Sequence, residues 1–263
     1  MVLEDNSMNK VKIPTYTAEN PNGMLERKFI VKKEQTNLDG VMNPSDLLRK
    51  TEKITLVHMN QYGMNRETFE KEQKLWVIVW NSLQIKRLPH LAEEIVLKVW
   101  AGSPINISQV RKYAFYTLTG EPLASVASMF MLMDKTTRTV ATPIANLKKI
   151  PILKVNGEPE PPKMTIPFSK ELSQIQTRVV QPEEIDINEH MNNTCYLDWV
   201  MDLLTKKEQT GYTPQNIWIK YIKELKVKEE ALIHYQWEDN VLYVKGSHNG
   251  NDSFMIRAEF RNN

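Results

Sequence analysis

The chain is poor in the features that mark several large protein classes. It has one cysteine in 263 residues, Cys195, so no internal disulfide can form. That suits a reducing compartment, and a cytoplasmic protein is expected. No run of eighteen apolar residues occurs, which excludes an ordinary membrane-spanning helix. The start, MVLEDNSMNKVKIP, is acidic early and lacks an apolar core, so it does not read as a secretory signal. Without a transit-type leader, the expected source is bacterial rather than plastid. No phosphate loop or dinucleotide fingerprint appears. The five histidines have no metal-ligand spacing, so neither metal nor cofactor is expected. A net charge of +2 is too small to suggest a nucleic-acid partner.

What is present is the material of a globular fold. Hydrophobic residues at 41% and charged residues at 25% allow one large domain or two of about 100–130 residues. Charge is uneven. Residues 1–169 hold 23 basic against 17 acidic residues, and residues 170–263 hold 11 against 15. A basic first half suits an acidic partner, and equally an ordinary solvated surface.

Two helices are predicted. The first runs from Asn43 to about Tyr62, with Asn43 as N-cap, Pro44 in the first turn, Asp46 at the positive end and Gly63 beyond the C-terminus. The second runs from about Asn193 to Thr210. Its apolar stripe of Tyr196, Leu197, Val200, Met201, Leu203 and Leu204 predicts burial on most sides.

Strand-like runs follow each helix. After the first come 75–83, 94–101, 112–117 and 124–133. After the second come 217–227, 231–237, 241–247 and 253–260, which read as an antiparallel meander broken at Asp239-Asn240 and Asn249-Gly250. The halves thus repeat one order: strand, helix, several strands. Asn37 to Asn43 matches Asp186 to Asn192, Gln84 to Arg87 matches Tyr221 to Glu224, and Trp100 matches Trp237. A proline-rich connection separates them.

The expected fold class is α+β, a tandem (double) hotdog with each helix wrapped by an antiparallel sheet. The units are 1–145, a linker 146–172, and 173–263. A generic α+β duplication fits the same pattern.

The segment from Asp186 to Asn193 concentrates carboxylates, amides and an imidazole before a buried helix. Helix-start N–H groups suit a thioester carbonyl whose oxygen gains charge during attack. His190 suits proton donation near neutral pH. A capping loop with incidental polar residues has the same composition.

The string D-x-N-x-H-x-N-N-x-x-Y-x-x-W, here Asp186, Asn188, His190, Asn192, Asn193, Tyr196 and Trp199, resembles the signature of plant and bacterial acyl-acyl carrier protein thioesterases. Trp76 to Trp80, Ile85 to Pro89 and the stretch Gly120 to Pro143, with Asp134 to Arg138, resemble that family too. The resemblance runs from about Leu25 to the end. It implies hydrolysis of a long-chain acyl thioester held on the phosphopantetheine arm of an acyl carrier protein, although chain length itself is not readable.

The resemblance also implies a catalytic set of Asp186, Asn188, His190 and Glu224. The family's cysteine after that glutamate is Leu225 here, which has no nucleophile. Glu224 is expected as base or water holder, aided by burial. Asn188 and Asp186 would orient, and His190 would polarise the carbonyl or protonate the thiolate. Strand alternation, however, sets Glu224 with Lys220, Lys226 and Lys228 on a polar face, unless a bulge turns it.

The first half, with Asn37, Asp39, Val41 and Arg87 at the matching positions, would shape the acyl pocket without a catalytic set. Cys195 reads as packing, and Lys148-Lys149 and Lys206-Lys207 as candidate carrier contacts. A homodimer is a candidate assembly. The alternatives are an acyl-coenzyme A thioesterase and a non-catalytic acyl-thioester-binding hotdog protein.

Overall fold

A computed structural model describes residues 23–155, 172–205, 208 and 211–262. The chain opens with β1 (Met24–Ile30), α1 (Pro44–Asn60) and a short α2 (Arg66–Lys71). The strands β2 (Lys74–Ile85), β3 (Glu94–Ile105), β4 (Ser108–Thr117) and β5 (Pro122–Asp134) follow. The second half repeats this order: β6 (Gln174–Val179), α3 (Cys195–Met201), β7 (Tyr212–Tyr221), β8 (Glu230–Glu238), β9 (Val241–His248) and β10 (Asn251–Asn262). The duplicated order read from the sequence is therefore present, as a tandem hotdog of α+β class.

The ten strands among the described residues form one antiparallel sheet in the order β1-β3-β4-β5-β2-β7-β10-β9-β8-β6. Read from either edge, each half has the same internal order. The halves join through β2 and β7, with Trp80 opposite Lys220 and Gln84 opposite Asn216. The last four strands are thus not a simple meander, because β7 pairs with β10 and not with β8. That closes a five-strand unit and frees the other edge of β7 to join the halves.

Helix α1 starts where its sequence dictates. Pro44 occupies the first position, where its missing N–H costs nothing, although the Asn43 side chain donates to Asp46 rather than capping. The second helix is a correction. It ends at Met201, well short of Thr210. Thr205 and Glu208 form a reciprocal capping pair, Thr205 N to Glu208 Oε2 at 2.7 Å and Glu208 N to Thr205 Oγ1 at 3.3 Å. That motif starts a new turn and so ends the old helix. Of the rest of the predicted helix, residues 206–207, the Lys206-Lys207 pair, and 209–210 lie outside the described residues, as do residues 156–171 of the linker. At the linker's near end, Ala145–Lys149 form a 3-10 turn and Ile152 bridges Ala101 in parallel.

The main core runs through both halves. In the second it is largely apolar: Leu197 and Val200 of α3 meet Ile219, Leu242, Val244, Phe254 and Ile256, all 0% exposed. In the first, α1 turns Thr51, Thr55 and His58, buried polar residues, toward the sheet.

Candidate active site

The loop before α3 is shaped by Asp186. Its Oδ1 accepts from Asn188 N at 2.7 Å and His190 N at 3.4 Å, the usual way an aspartate imitates a turn. Asp186 N donates to His190 O at 2.8 Å, and Glu189 takes a left-handed φ of +65°. Asp186 Oδ2 also accepts from Asn188 Nδ2 at 3.3 Å. The loop is docked by Met191 N, which donates to Leu225 O at 2.8 Å. Sequence, turn and docking together aim His190 at the segment that carries Glu224.

Glu224 is not on a strand. β7 stops at Tyr221, and Ile222 N and Lys223 N both donate to Ser253 O, at 2.9 and 3.0 Å. Two residues opposite one make an irregular strand end, so the alternation that grouped Glu224 with the lysines does not reach it. Leu225, at the family's cysteine position, is 0% exposed and packs inward, while Glu224 faces the opposite way.

His190 Nε2 lies 3.1 Å from Glu224 Oε1. Arg138 donates a guanidinium N–H to the same oxygen at 2.9 Å. Among the described residues no protein group bonds Oε2. The expected burial of Glu224 is only partial, since its side chain is 40% exposed against 19% for His190.

Arg138 was missed by sequence reasoning because it comes from the first half, in the loop after β5. That loop is stiff. Asp134 Oδ1 accepts from Thr136 N and Thr137 N at 3.0 and 2.9 Å, and Asp134 Oδ2 takes Lys74 at 2.8 Å. These bonds, led by Lys74, hold the Asp134 carboxyl well below the usual range. Arg138 itself has φ +57°, an uncommon conformation for a non-glycine residue. The sequence signal was Asp134 to Arg138, noted as family-like but given no role.

All four expected residues, with Arg138, line a cavity of about 380 Å³ between the halves. Its other walls are Trp76 to Val79 of β2, Met133 of β5, and Met191, Asn193, Tyr196, Tyr221, Ile222 and Lys223. Such a mix of apolar wall and few convergent polar groups is typical of a small-molecule site. The helix-start amides contribute less than expected. Thr194 N is taken by Asn192 Oδ1 at 2.8 Å and Cys195 N by Asn192 O at 3.0 Å, and α3 has only seven residues.

Two further groups flank the site. Cys195 is buried, and burial pushes its thiol up to about 11, which leaves it inert at neutral pH. Glu52 of α1 accepts from Asn192 Nδ2 at 3.4 Å. Burial, opposed by that bond and reinforced by nearby Asp186, raises it to about 7. Nothing in its sequence context marked it.

The matches between halves need one correction. Lys86 N and Arg87 N both donate to Leu123 O, as Ile222 N and Lys223 N do to Ser253 O. Met42 N donates to Pro89 O as Met191 N does to Leu225 O. Leu88, not Arg87, therefore stands opposite Glu224, and the same register sets Trp100 against Gln236, not Trp237. Arg87 instead forms a two-point ion pair with Glu93, at 2.9 and 2.6 Å.

No helix among the described residues is long and apolar enough to cross a membrane. By sequence, the chain is 22% identical over 228 residues to the dodecanoyl-[acyl-carrier-protein] hydrolase of Cinnamomum camphora, covering 78% of this chain and 57% of that one. It is 19% identical over 216 residues to oleoyl-acyl carrier protein thioesterase 2 of Arabidopsis thaliana, covering 76% and 59%. The chain thus spans under two thirds of the length of these curated relatives. Its fold is shared with an acyl-ACP thioesterase from Bacteroides thetaiotaomicron, with TM-score 0.82, 16% identity and coverage of 92% and 99%. It is shared also with the 12:0-ACP thioesterase of Umbellularia californica, with TM-score 0.80, 17% identity and coverage of 92% and 98%. The family model for the acyl-ACP thioesterase N-terminal domain matches residues 22–147, and that for the C-terminal domain matches 168–263. With both models matched in order over most of its length, the chain belongs to the acyl-ACP thioesterase family.

Proposed function

We propose that this protein hydrolyses the thioester of acyl-acyl carrier protein, releasing free fatty acid and ending chain elongation. The observation that carries the reading is the convergence of His190 and Arg138 on Glu224 Oε1, at the wall of a cavity that also holds Asp186 and Asn188. Glu224 Oε2 accepts a proton from water as the water oxygen attacks the thioester carbon. The negative charge then growing on the carbonyl oxygen is met by the N–H donors of the cavity, with His190 the nearest to Glu224. When the tetrahedral intermediate collapses, the C–S bond breaks and the thiolate takes the proton held by Glu224, directly or through His190, which gives up its own proton and is re-protonated by Glu224 3.1 Å away. Acid and thiol leave, and the enzyme returns to its starting charge. Arg138 and His190 hold Glu224 from one side, so its second oxygen keeps a fixed direction.

Asp186 is a positioning residue, since it shapes the loop and pins Asn188. The second half supplies most of the site and the first half supplies the β2 wall and Arg138. In this reading the units are 1–145 and 173–263, joined by the linker 146–172. The substrate partner is the carrier protein with its phosphopantetheine arm, in a bacterial cytoplasm.

The test is acid release from a panel of acyl-acyl carrier proteins and the matching acyl-coenzyme A thioesters. Wild type should prefer the carrier-bound substrate. Glu224→Ala and His190→Ala should each lose at least about a hundredfold in kcat. Binding without release would show a carrier or regulator instead, and faster turnover of the coenzyme A esters would change the substrate.

A further inference from the structure

Two hydrogen bonds tie the loop that carries His190 to the segment that carries Glu224. One is Met191 N to Leu225 O at 2.8 Å, one residue beyond each. The other runs from the Tyr221 hydroxyl to Asn193 O at 2.9 Å. Tyr221 ends β7 three residues before Glu224, and Asn193 comes three residues after His190. The 3.1 Å pair of His190 with Glu224 is therefore held between a backbone tie and a side-chain tie.

The side-chain tie continues into the first half. The Tyr221 hydroxyl accepts from Asn81 Nδ2 at 3.0 Å, and Asn81 Oδ1 accepts from Ser128 Oγ at 2.6 Å. Asn81 and Ser128 face each other across β2 and β5 and are 3% and 1% exposed. Every donor points the same way, from Ser128 through Asn81 and Tyr221 to the loop. A hydroxyl that accepts on one side must donate on the other, so Asn81 directs the Tyr221 hydrogen at Asn193 O. The Tyr221 ring is steadied by Tyr196, edge-on with centroids 5.7 Å apart.

The duplication shows what the frame alone requires. The register that sets Leu88 against Glu224 sets Ile85 against Tyr221 and Ile217 against Asn81. Ile217 pairs with Ala258 across β7 and β10 as Asn81 pairs with Ser128 across β2 and β5. The symmetry-related place is thus Ile85, Ile217 and Ala258, at 5%, 0% and 0% exposed. The backbone tie occurs in both copies, since Met42 N donates to Pro89 O at 2.8 Å. Among the described residues the polar chain occurs only in the copy that carries His190 and Glu224. Buried amide and hydroxyl groups cost stability unless bonded and return little net stability when they are. Aliphatic packing serves the frame equally well, so the polar chain answers to the chemistry.

We infer that Tyr221 and Asn81 are positioning residues for the hydrolysis, Tyr221 by holding the His190 loop against the Glu224 segment and Asn81 by orienting the Tyr221 hydroxyl. This rests on the thioesterase reading above. It brings the first half into turnover through β2, by a contact separate from Arg138. A shift on the order of 1 Å between catalytic groups costs up to about a hundredfold in rate, so a loop held by one tie instead of two is slow without being unfolded.

The experiment is kcat and KM on the carrier-bound acyl ester that wild type turns over fastest, with a melting curve for every variant. Tyr221→Phe removes only the hydroxyl and should lose about tenfold in kcat, with KM within about twofold of wild type. Asn81→Ile with Ser128→Ala copies the symmetry-related place. That protein should melt within about 5 °C of wild type and still lose about three- to tenfold in kcat. All three changes together should cost no more than Tyr221→Phe alone, because Asn81 acts through the hydroxyl that is gone. A folded Tyr221→Phe protein with wild-type kcat overturns the proposal and leaves the thioesterase reading intact. So does a loss confined to KM, which would make Tyr221 a wall contact for substrate, and so do losses that multiply in the triple variant. If Tyr221→Phe does not fold, the Asn81→Ile, Ser128→Ala protein decides by the same two constants. If wild type hydrolyses no ester, the thioesterase reading falls and the proposal with it.

Discussion

The loops before the two helices share a backbone and differ in what they present. In the first half Asn37 Oδ1 accepts from Asp39 N and Val41 N, both at 3.0 Å, and Asn37 N donates to Val41 O. In the second half Asp186 makes the same three bonds. Gly40 and Glu189 both take the left-handed turn, at +72° and +65°. Gln35 and Glu184 each accept from the backbone three residues earlier, at 3.0 and 2.8 Å. The frame therefore does not depend on the chemistry. Where one copy has Val41 and Leu88, the other has His190 and Glu224. The first copy has been left to structure and to the cavity wall, and the second carries the polar set.

Copying the first half onto the second should break the comparison most severely. Glu224→Leu with His190→Val, the residues at the matching positions, should lower kcat by at least about a thousandfold. The melting temperature should stay within a few degrees, because the same frame already tolerates both residues. A folded double variant that keeps full activity would remove both from the site. Next in size is Arg138→Ala, which should cost about ten- to a hundredfold, with Arg138→Lys partly active and added guanidinium restoring part of the loss in the alanine variant. If guanidinium has no effect and kcat is unchanged, the ion pair with Glu224 has no role in turnover.

Much of this was legible in the chain, and the failures have physical causes. Asp186, Asn188 and His190 lie within five residues, so one turn brings them together whatever the rest of the fold does. Glu224 was named from its motif, and alternation grouped it with the lysines, because a strand period says nothing past the strand's last pair at Tyr221. Arg138 belongs to the site only through the pairing of β2 with β7, a contact between halves that no local pattern encodes. The overlong second helix followed Leu203 and Leu204, whose apolar spacing continues past Met201. The Thr205 to Glu208 capping signature stood in the sequence and outweighed it. The register between halves slipped by one because it was aligned on weak identities rather than on the bulges at Leu123 and Ser253.

Asp186→Asn sharpens the comparison instead of breaking it. Asn37 shows that an amide at this position supports the turn, so stability should change by no more than about 0.5 kcal/mol in a denaturant melt. Any loss of turnover, expected at about tenfold, then measures the charge of Asp186 and not its shape. Loss of folding would mean that the two loops are less alike than their bonds suggest.

The smallest effect is expected at Glu52, where α1 of the first half meets the second-half loop. Its carboxyl is raised from 4.5 to about 7, chiefly by burial. A carboxyl raised on folding keeps its proton in the folded state, so its stabilising contribution is whole below about 4.5. It is lost as pH climbs through about 7, where the folded protein must hold a charge in a poor environment. Glu52→Gln keeps an acceptor for Asn192 and never ionises. The variant should therefore match wild type at pH 4.5 and exceed it at pH 8 by about 1 kcal/mol, a figure discounted for the water that still reaches the half-buried side chain. Urea melts at the two pH values measure the difference. A gain of equal size at both would mean that the carboxyl is ionised throughout, and that the contact between α1 and the second-half loop is insensitive to its charge.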